Sequence, residues 1–189
     1  DGGFVSADEI ANAKKTMDAS VFRQEFEASF ETTGNRAAWN FDRNIHVKKA
    51  KELSSYKWWG CDFNVDYMSP NVEVYPDPAG SARSTTSNRS DHHILRDYGF
   101  LIRAKKAHPS HVDRLNALNR KLLDAEGNVT MTIDPKCKYL IKDLEQVQRD
   151  KKGGIDKSNM ELTHSLDACS YAIAYKFPVI SKASRTMKW

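Results

Sequence analysis

The sequence predicts an α/β domain with a mixed, partly parallel sheet flanked by helices, preceded by a short N-terminal helical extension. Short β-branched or aromatic runs alternate with longer segments whose apolar residues recur at helical spacing, which is typical of strands joined by helices. The first 31 residues contain two helical patterns and no strand pattern. We therefore expect the extension over residues 1–50 and the main domain over residues 51–189.

Two helices are predicted within residues 6–31. Ser6 and Glu9 form the Ser-x-x-Glu pattern of a capping box ahead of an apolar-periodic segment. Three phenylalanines then recur at helical spacing, at Phe22, Phe26 and Phe30. Such a stripe usually packs against a protein body, so these helices are expected to contact the main domain. Residues 39–47 are predicted to be irregular or a short strand.

Four strands and four helices are predicted in the main domain. The strands cover residues 56–64, 72–75, 100–102 and 129–133. The helices cover residues 92–98, 112–122, 136–149 and 158–175. Ser90 is a favourable cap for the first of these helices, and Gly99 would end it. The run Asp77-Pro78-Ala79-Gly80 is typical of a turn at the end of the second strand.

The link between the first two strands is short for parallel neighbours. A parallel connection needs a dozen or more residues, because the chain must cross back over the sheet. Only residues 66–71 are free to do so, and they reach ~20 Å at full extension. Either these strands are not parallel neighbours, or residues are missing from this sequence between about Tyr67 and Asn71. We expect the second.

Composition and the absence of common motifs argue against several functions. The chain is 40% hydrophobic and 29% charged, and no run approaches the ~20 apolar residues that cross a bilayer. Its three cysteines form no Cys-x-x-Cys pair, so neither a disulfide framework nor a zinc site is indicated, and a reducing cytoplasm is expected. The sequence has neither a Walker A motif nor a Gly-x-Ser-x-Gly motif, which disfavours an ATPase or a serine hydrolase.

Positive charge is concentrated in the middle of the chain, although the net charge is only +4. Between Arg83 and Lys121 there are nine Lys or Arg residues against three Asp residues. Such a tract is typical either of solvated helical faces or of a surface that follows a phosphate backbone. Its densest part, Arg103 with Lys105 and Lys106, is the predicted DNA-binding cluster.

Three aspartates are candidates for a metal site. Asp62 ends the run of residues 56–61 within the first predicted strand, Asp77 ends the second strand-like run, and Asp167 lies in the final helix, which is built largely of small and apolar residues. Each alone has an ordinary explanation, as a strand-end group, a turn former or a hydrogen-bonded helix residue. Together they predict a site for hard divalent cations, which take oxygen ligands and activate water against a phosphodiester. Because crowded carboxylates repel each other, we expect the cluster to be stable chiefly with metal bound.

His164 precedes Asp167 by three residues and shares its helical face. One explanation of this pair is a hydrogen bond between the two side chains, or from each to a neighbouring loop. The other is that Asp167 binds metal while His164 orients a ligand or a water molecule. The sequence leaves both explanations open.

Eight segments occur in an order that is similar to a known family. They are residues 22–26, 40–42, 60–64, 77–80, 90–96, 134–138, 143–145 and 164–168. Among them, Gly60-Cys61-Asp62-Phe63-Asn64 resembles a first-strand aspartate motif, and His164-x-x-Asp167-Ala168 resembles the motif of the last helix. The family is the C-terminal nuclease domain of the large terminase subunit of tailed bacteriophages, which has an RNase H-like fold. Each segment is weak alone, but together they cover nearly the whole chain.

The resemblance implies that Asp62, Asp77 and Asp167 hold two Mg²⁺ or Mn²⁺ ions and cut concatemeric double-stranded DNA during viral genome packaging. It also implies a preceding ATPase domain, to which residues 1–50 would be the linker. The expected partners are double-stranded DNA, the small terminase subunit and the portal protein of the procapsid. The expected location is the host cytoplasm, with no membrane partner.

The short spacing between Asp62 and Asp77 departs from the family, whose members place a hairpin and a helix there. A missing segment near residues 67–71 would account for this departure. Two alternative functions stay open. The chain could be another RNase H-like phosphodiesterase of the transposase or resolvase type, or a non-catalytic module that docks on DNA or on the portal.

Overall fold

The computed structural model describes residues 5–28, 34–49, 58–61, 72–82, 89–104, 107–159 and 161–179. Within these ranges the α-helices are α1 (Ala7–Thr16), α2 (Ala19–Phe26), α3 (Arg43–His46), α4 (Asp91–Asp97), α5 (His111–Leu122), α6 (Lys138–Gln146) and α7 (His164–Lys176). The strands are β1 (Trp58–Cys61), β2 (Glu73–Pro76) and β3 (Leu101–Ile102), and a 3₁₀ helix covers Pro78–Ser81. Helices combined with a small parallel sheet are compatible with the predicted α/β class.

The strand β2 is the centre of a three-stranded parallel sheet with the order β1-β2-β3. Cys61 of β1 lies opposite Pro76 of β2, and Glu73 lies opposite Leu101 of β3. The first two strands are therefore parallel neighbours, which removes one of the two explanations of their short link. The described parts of β1 and β2 are four residues long, so the chain must return over only ~13 Å. The link itself lies outside the described residues, so the missing segment near residues 67–71 stays a prediction.

The main hydrophobic core lies around α7, which packs against α5, α6, β1 and β2. Three of the four apolar residues that predicted α5 are fully buried in this core, namely Leu115, Leu118 and Leu122. The fourth, Val112, lies in the first turn of the helix and is 43% exposed. Leu144 of α6 and Leu166 of α7 complete the contact between the three helices.

Residues 34–49 belong to the same core. Ala37 and Phe41 pack with the buried leucines of α5. Asn119 of α5, which is fully buried, fixes this segment, since its Nδ2 donates to the carbonyl of Ala37 (2.9 Å) and its Oδ1 accepts from the amide of Asn40 (3.0 Å). The part predicted to be irregular or a short strand instead contains the one-turn helix α3.

The predicted strand over residues 129–133 is not formed. Ile133 makes an isolated parallel bridge with Val47, and residues 129–132 belong to no strand. Ile133 is buried in the main core. The apolar character of this segment therefore reflects local burial rather than pairing within a sheet.

The two predicted N-terminal helices correspond to α1 and α2. The Ser6 hydroxyl accepts a hydrogen bond from the amide of Glu9 (3.2 Å), and the Ser6 amide donates to Glu9 Oε2 (3.1 Å), which confirms the capping box. Asp18 caps α2 and also accepts a hydrogen bond from Asn40. The buried Asp18 thereby fastens the helices to residues 34–49.

Of the two described members of the phenylalanine stripe, Phe22 is buried as predicted, whereas Phe26 is 37% exposed. Phe22 is buried, and its ring stacks on that of Phe26 with 5.0 Å between the centroids. Phe30 lies outside the described residues. The packing of α2 therefore depends mainly on Phe22.

Helix ends agree with the prediction where the stop signal is local. The Ser90 hydroxyl caps α4 by accepting from the amide of His93 (3.2 Å), and Gly99 follows the helix with a φ of +87°. The helices α6 and α7 are shorter than predicted. Helix α6 covers only Lys138–Gln146, and α7 begins at His164 instead of residue 158.

Candidate functional site

Asp77 lies at the sheet edge where β1 and β2 both end. These strands run parallel, with Cys61 opposite Pro76, so their carboxyl ends meet at one edge. Open α/β sheets bind ligands beyond the carboxyl ends of their strands. Asp62 follows Cys61 in the sequence and lies outside the described residues. Asp77 also acts as a turn former, because its Oδ1 accepts from the amide of Ala79 (2.8 Å).

Asp77 contacts His108, a residue to which the sequence assigned no role at the site. His108 Nδ1 lies 3.3 Å from Asp77 Oδ1 and 3.2 Å from the hydroxyl of Tyr171. Burial raises the pKa of Tyr171 to about 12, so the phenol is a neutral donor at physiological pH. His92 Nε2 donates to the backbone carbonyl of Asp77 (2.9 Å) and fixes its main chain.

Asp167 is buried in the first turn of α7 and carries two cationic partners. Its Oδ1 accepts from Arg114 Nη1 (2.9 Å), and its Oδ2 lies 2.8 Å from Lys157 Nζ. The same Arg114 nitrogen lies 3.1 Å from the hydroxyl of Ser170, which in turn donates to the carbonyl of Asp167 (2.9 Å). The charge of Asp167 is therefore balanced within the chain.

The two aspartates are linked through Arg114 and Tyr171. Arg114 is 1% exposed, and its guanidinium carbon lies 4.0 Å from the centroid of the Tyr171 ring. Tyr171 follows Asp167 by four residues on α7, so both side chains project from the same helical face. The ring therefore stacks on the partner of Asp167, while its hydroxyl contacts His108, the partner of Asp77. This arrangement connects the sheet edge with α7 through buried polar contacts.

The start of α7 depends on Asp143 of α6. Thr163 precedes the helix with a φ of +91° and makes no side-chain cap. Asp143 Oδ2 instead accepts from the amide of Leu166 in the first turn (3.0 Å), and Asp143 is itself buried. This bond helps to hold the turn that carries Asp167. The only sequence signal for this role was an acidic residue beside the apolar stripe of α6.

His164 is the first residue of α7 and is exposed, whereas Asp167 is buried. The described side-chain partners of Asp167 are Arg114 and Lys157. The predicted role of His164 in orienting a ligand or water stays a prediction. The histidine that contacts a candidate carboxylate is His108, which precedes α5.

The central basic tract is not one continuous surface. Arg114 is buried against Asp167, and Arg120 donates from Nη1 to the carbonyl of Thr16 (2.9 Å) and from Nη2 to that of Phe177 (3.0 Å). These arginines have structural partners. Arg103 of the predicted DNA-binding cluster is half exposed and pairs with Glu73 at 2.8 Å. Lys105 and Lys106 lie outside the described residues.

The described residues do not by themselves form a site for a divalent cation. In the part of the chain that the structure describes, no group of three or more His, Cys, Asp or Glu residues gathers in a metal-binding arrangement. Asp77 is partly exposed, whereas Oδ2 of the buried Asp167 lies against Lys157 Nζ. The Lys157 side chain is 55% exposed. The sequence predicted that crowded carboxylates would need bound metal to be stable. Asp167 does not have this need, because Arg114 and Lys157 neutralise its charge.

Comparisons with protein-family models, with curated proteins and with solved structures give no match to this chain. Among the described residues, no helix is both long enough and apolar enough to pass through a membrane. A functional conclusion must therefore come from the residues at the sheet edge and on α7.

Proposed function

We propose that this chain is a divalent-metal-dependent endonuclease with an RNase H-like fold, the nuclease domain of a large terminase subunit. It would cut concatemeric double-stranded viral DNA in the host cytoplasm during genome packaging. The observation that carries the proposal is the parallel pairing of β1 with β2 in a register that ends one residue before Asp62 and Asp77. The packing of α7 on both strands, with Asp167 in its first turn, supports it further.

The proposed ligands of two Mg²⁺ or Mn²⁺ ions are Asp62, Asp77 and Asp167. Bound divalent cations would activate the attacking water and stabilise the leaving 3′ oxygen. Arg114 orients Asp167, because its Nη1 donates to Oδ1 in a buried contact. His108 contacts Asp77 Oδ1 and restricts that side chain.

The proposed partners are double-stranded DNA, the small terminase subunit and the portal protein of the procapsid. Arg103, Lys105 and Lys106 are the proposed contacts to the DNA backbone, because clustered positive side chains suit phosphates. Arg103 reaches DNA only by giving up its bond to Glu73, which is a partly exposed ion pair and therefore a weak one.

Plasmid cleavage in Mg²⁺ or Mn²⁺ tests the proposal. Wild-type protein should nick and linearise the plasmid, and chelation of the metal should stop it. Asp77→Asn keeps an acceptor for the Ala79 amide, so the turn should persist while cleavage falls to the chelated level. The matched control is Glu161→Gln, which removes an exposed carboxylate shortly before α7 and should leave cleavage unchanged. Cleavage that survives chelation would contradict a metal-dependent mechanism.

One observation favours a second function, a non-catalytic module that docks on DNA or on the portal. Asp167 is fully paired by Arg114 and Lys157 without a metal ion, as a structural carboxylate would be. A docking module predicts DNA retention that weakens with salt and no cleavage with any divalent cation. Combined substitution of Arg103, Lys105 and Lys106 should weaken that retention.

A further inference from the structure

We propose that a lysine-rich surface around Tyr139 binds single-stranded DNA without the help of a metal ion. The surface is formed by α6, the turn before it and the segment after α3, and it lies outside the predicted basic tract in the sequence. Its members are exposed side chains that carry a positive charge or an aromatic ring: Lys48, Lys49, Lys136, Lys138, Tyr139 and Lys142. The inference goes beyond the proposed function, because it concerns DNA binding without cleavage.

The aromatic ring at the centre of this surface faces solvent. Tyr139 is 81% exposed, more than any other large hydrophobic side chain in the described ranges. Ile141 and Leu144 bury the inner face of α6, whereas Tyr139 and Lys142 are neighbours on its outer face, three residues apart. Stacking on an unpaired base would cover the exposed ring, and such stacking does not depend on the identity of the base.

The lysines of this surface have no ion-pair partner among the described residues. The acidic side chains of α6 and of the turn before it are already bound elsewhere. Glu145 pairs with Arg43 at 2.7 Å, and the buried Asp143 accepts from the amide of Leu166. Asp134 Oδ1 accepts from a backbone amide of its own turn (2.9 Å). The five ammonium groups therefore remain available to phosphates.

Backbone pairing brings the two segments of this surface together. The amide of Lys48 donates to the carbonyl of Ile133 (3.0 Å), and the amide of Ile133 donates to the carbonyl of His46 (2.8 Å). Ile133 precedes Lys136 by three residues, which span at most ~11 Å. Lysines that are far apart in the sequence therefore belong to one positively charged surface.

A single strand fits this surface better than a duplex does. The bases of a duplex are stacked on each other, so the Tyr139 ring would meet only the sugar-phosphate backbone. Proteins that bind single strands without sequence preference combine positive side chains, which follow the phosphates, with aromatic rings on which bases stack. A lysine ammonium acts as a point charge and reads no base. We therefore expect binding with little sequence preference.

The first experiment measures the affinity of a labelled strand of about 12 deoxythymidines by fluorescence anisotropy, in excess chelator. Tyr139→Ala should weaken binding at least about fivefold, because it removes the stacking ring. Tyr139→Phe keeps the ring and should bind like the wild type. The matched control is Tyr98→Ala, which removes a tyrosine of similar exposure (72%) at the end of α4 and should leave the affinity unchanged.

The second experiment measures how the same affinity depends on salt. The double variant Lys138→Gln, Lys142→Gln should reduce the slope of log affinity against log salt by about 1.4, because each phosphate contact to a single strand contributes about 0.7. The control is the double variant Lys151→Gln, Lys152→Gln, which removes two exposed lysines from the loop after α6. It should keep the wild-type slope, although its net charge falls equally.

Unchanged affinity in Tyr139→Ala, or an unchanged salt slope in the α6 double variant, would overturn the inference. Wild-type protein that binds anionic vesicles but no oligonucleotide would overturn it too. An equal loss for Tyr139→Ala with a blunt duplex would overturn the assignment to a single strand. Plasmid cleavage in Mn²⁺ is measured separately. Single-strand binding without cleavage would contradict only the proposed nuclease, and cleavage with unaltered binding by the variants would contradict only this inference.

Discussion

The guanidinium carbon of Arg114 lies 4.0 Å from the ring centroid of Tyr171, and both side chains are buried. A cation over a ring face at this distance is attracted by the ring quadrupole. Arg114 Nε is buried without a hydrogen-bond partner, so the stack and the bond to Asp167 together set the guanidinium orientation. Because the Tyr171 hydroxyl contacts His108, which lies 3.3 Å from Asp77 Oδ1, this pair joins the surroundings of both described candidate carboxylates.

Arg114→Met should destabilise the protein strongly. The substitution leaves buried Asp167 with only the exposed Lys157 as a partner, and breaking a buried ion pair in this way costs about 3–5 kcal/mol. Urea unfolding measures the loss. Arg96→Met, an exposed arginine in the last turn of α4, is the control and should change the free energy of unfolding little. If Arg114→Met and Arg96→Met lowered the free energy of unfolding equally, a structural role for the Arg114–Asp167 pair would be contradicted.

Asp143→Ala should weaken the start of α7. The Leu166 amide would lose its acceptor, and removal of a cap of this kind costs about 0.5–2 kcal/mol. Glu145→Gln is a matched control on the same helix, because Glu145 pairs only with Arg43 at the surface. Thermal unfolding of Asp143→Ala and Glu145→Gln measures the effect. Equal melting temperatures for these two variants would mean that Asp143 does not stabilise the start of α7.

Stability should fall as the pH falls below about 6.5, in part through His92. Burial lowers the pKa of this histidine from 6.5, so the folded state favours the neutral ring. Between the lowered pKa and 6.5 the unfolded chain binds more protons than the folded one, so the stabilisation present above pH 6.5 is lost on acidification. His92→Gln should reduce this loss, because glutamine can still donate to the carbonyl of Asp77 without titrating.

The measurement for His92 is the free energy of unfolding at several pH values between 5 and 8. Asn116→Ala, which removes a partly buried side chain that does not titrate, serves as control and should keep the wild-type pH dependence. If the free energy of unfolding fell equally with decreasing pH in the wild type and in His92→Gln, His92 would be excluded as a source of the acid sensitivity.

Asn119→Ala should destabilise the contact between α5 and residues 34–49. Asn119 is fully buried, and its loss would leave the Asn40 amide and the Ala37 carbonyl without this partner. Unsatisfied buried groups of this kind cost about 1–3 kcal/mol each. Asn116→Ala, one turn earlier on α5 and only partly buried, should cost less in the same urea titration. A larger loss of stability for Asn116→Ala than for Asn119→Ala would show that the Asn119 hydrogen bonds contribute little.

Local signals predicted the local structure well. The capping box of α1 and both ends of α4 depend on residues within four positions of each other, so the sequence contains the whole determinant. The prediction of a strand over residues 129–133 was wrong. A strand needs a partner strand, and alternation of apolar and polar residues does not show whether a partner exists. The C-terminal end of β2 was predicted to within one residue, because a proline-containing turn follows it.

The candidate site was only partly predictable. The pattern identified Asp77 and Asp167, but their actual partners come from distant segments. Arg114 lies 53 residues from Asp167, and an arginine on an amphipathic helix is normally assigned to solvent. Lys157 and His108 lie in loops, where spacing carries no information about direction. These contacts exist only because packing of α7 on α5 and the sheet brings the segments together.

The position of Asn119 has a practical consequence for shortened forms of this protein. Asn119 and Arg114 are five residues apart on α5, which corresponds to ~7.5 Å along a rigid helix. A fragment that begins at residue 51 would lose Ala37 and Phe41, the residues packed against one end of this short rod. Inactivity of such a fragment would report a damaged scaffold rather than missing chemistry, so expression boundaries should keep residues 34–49.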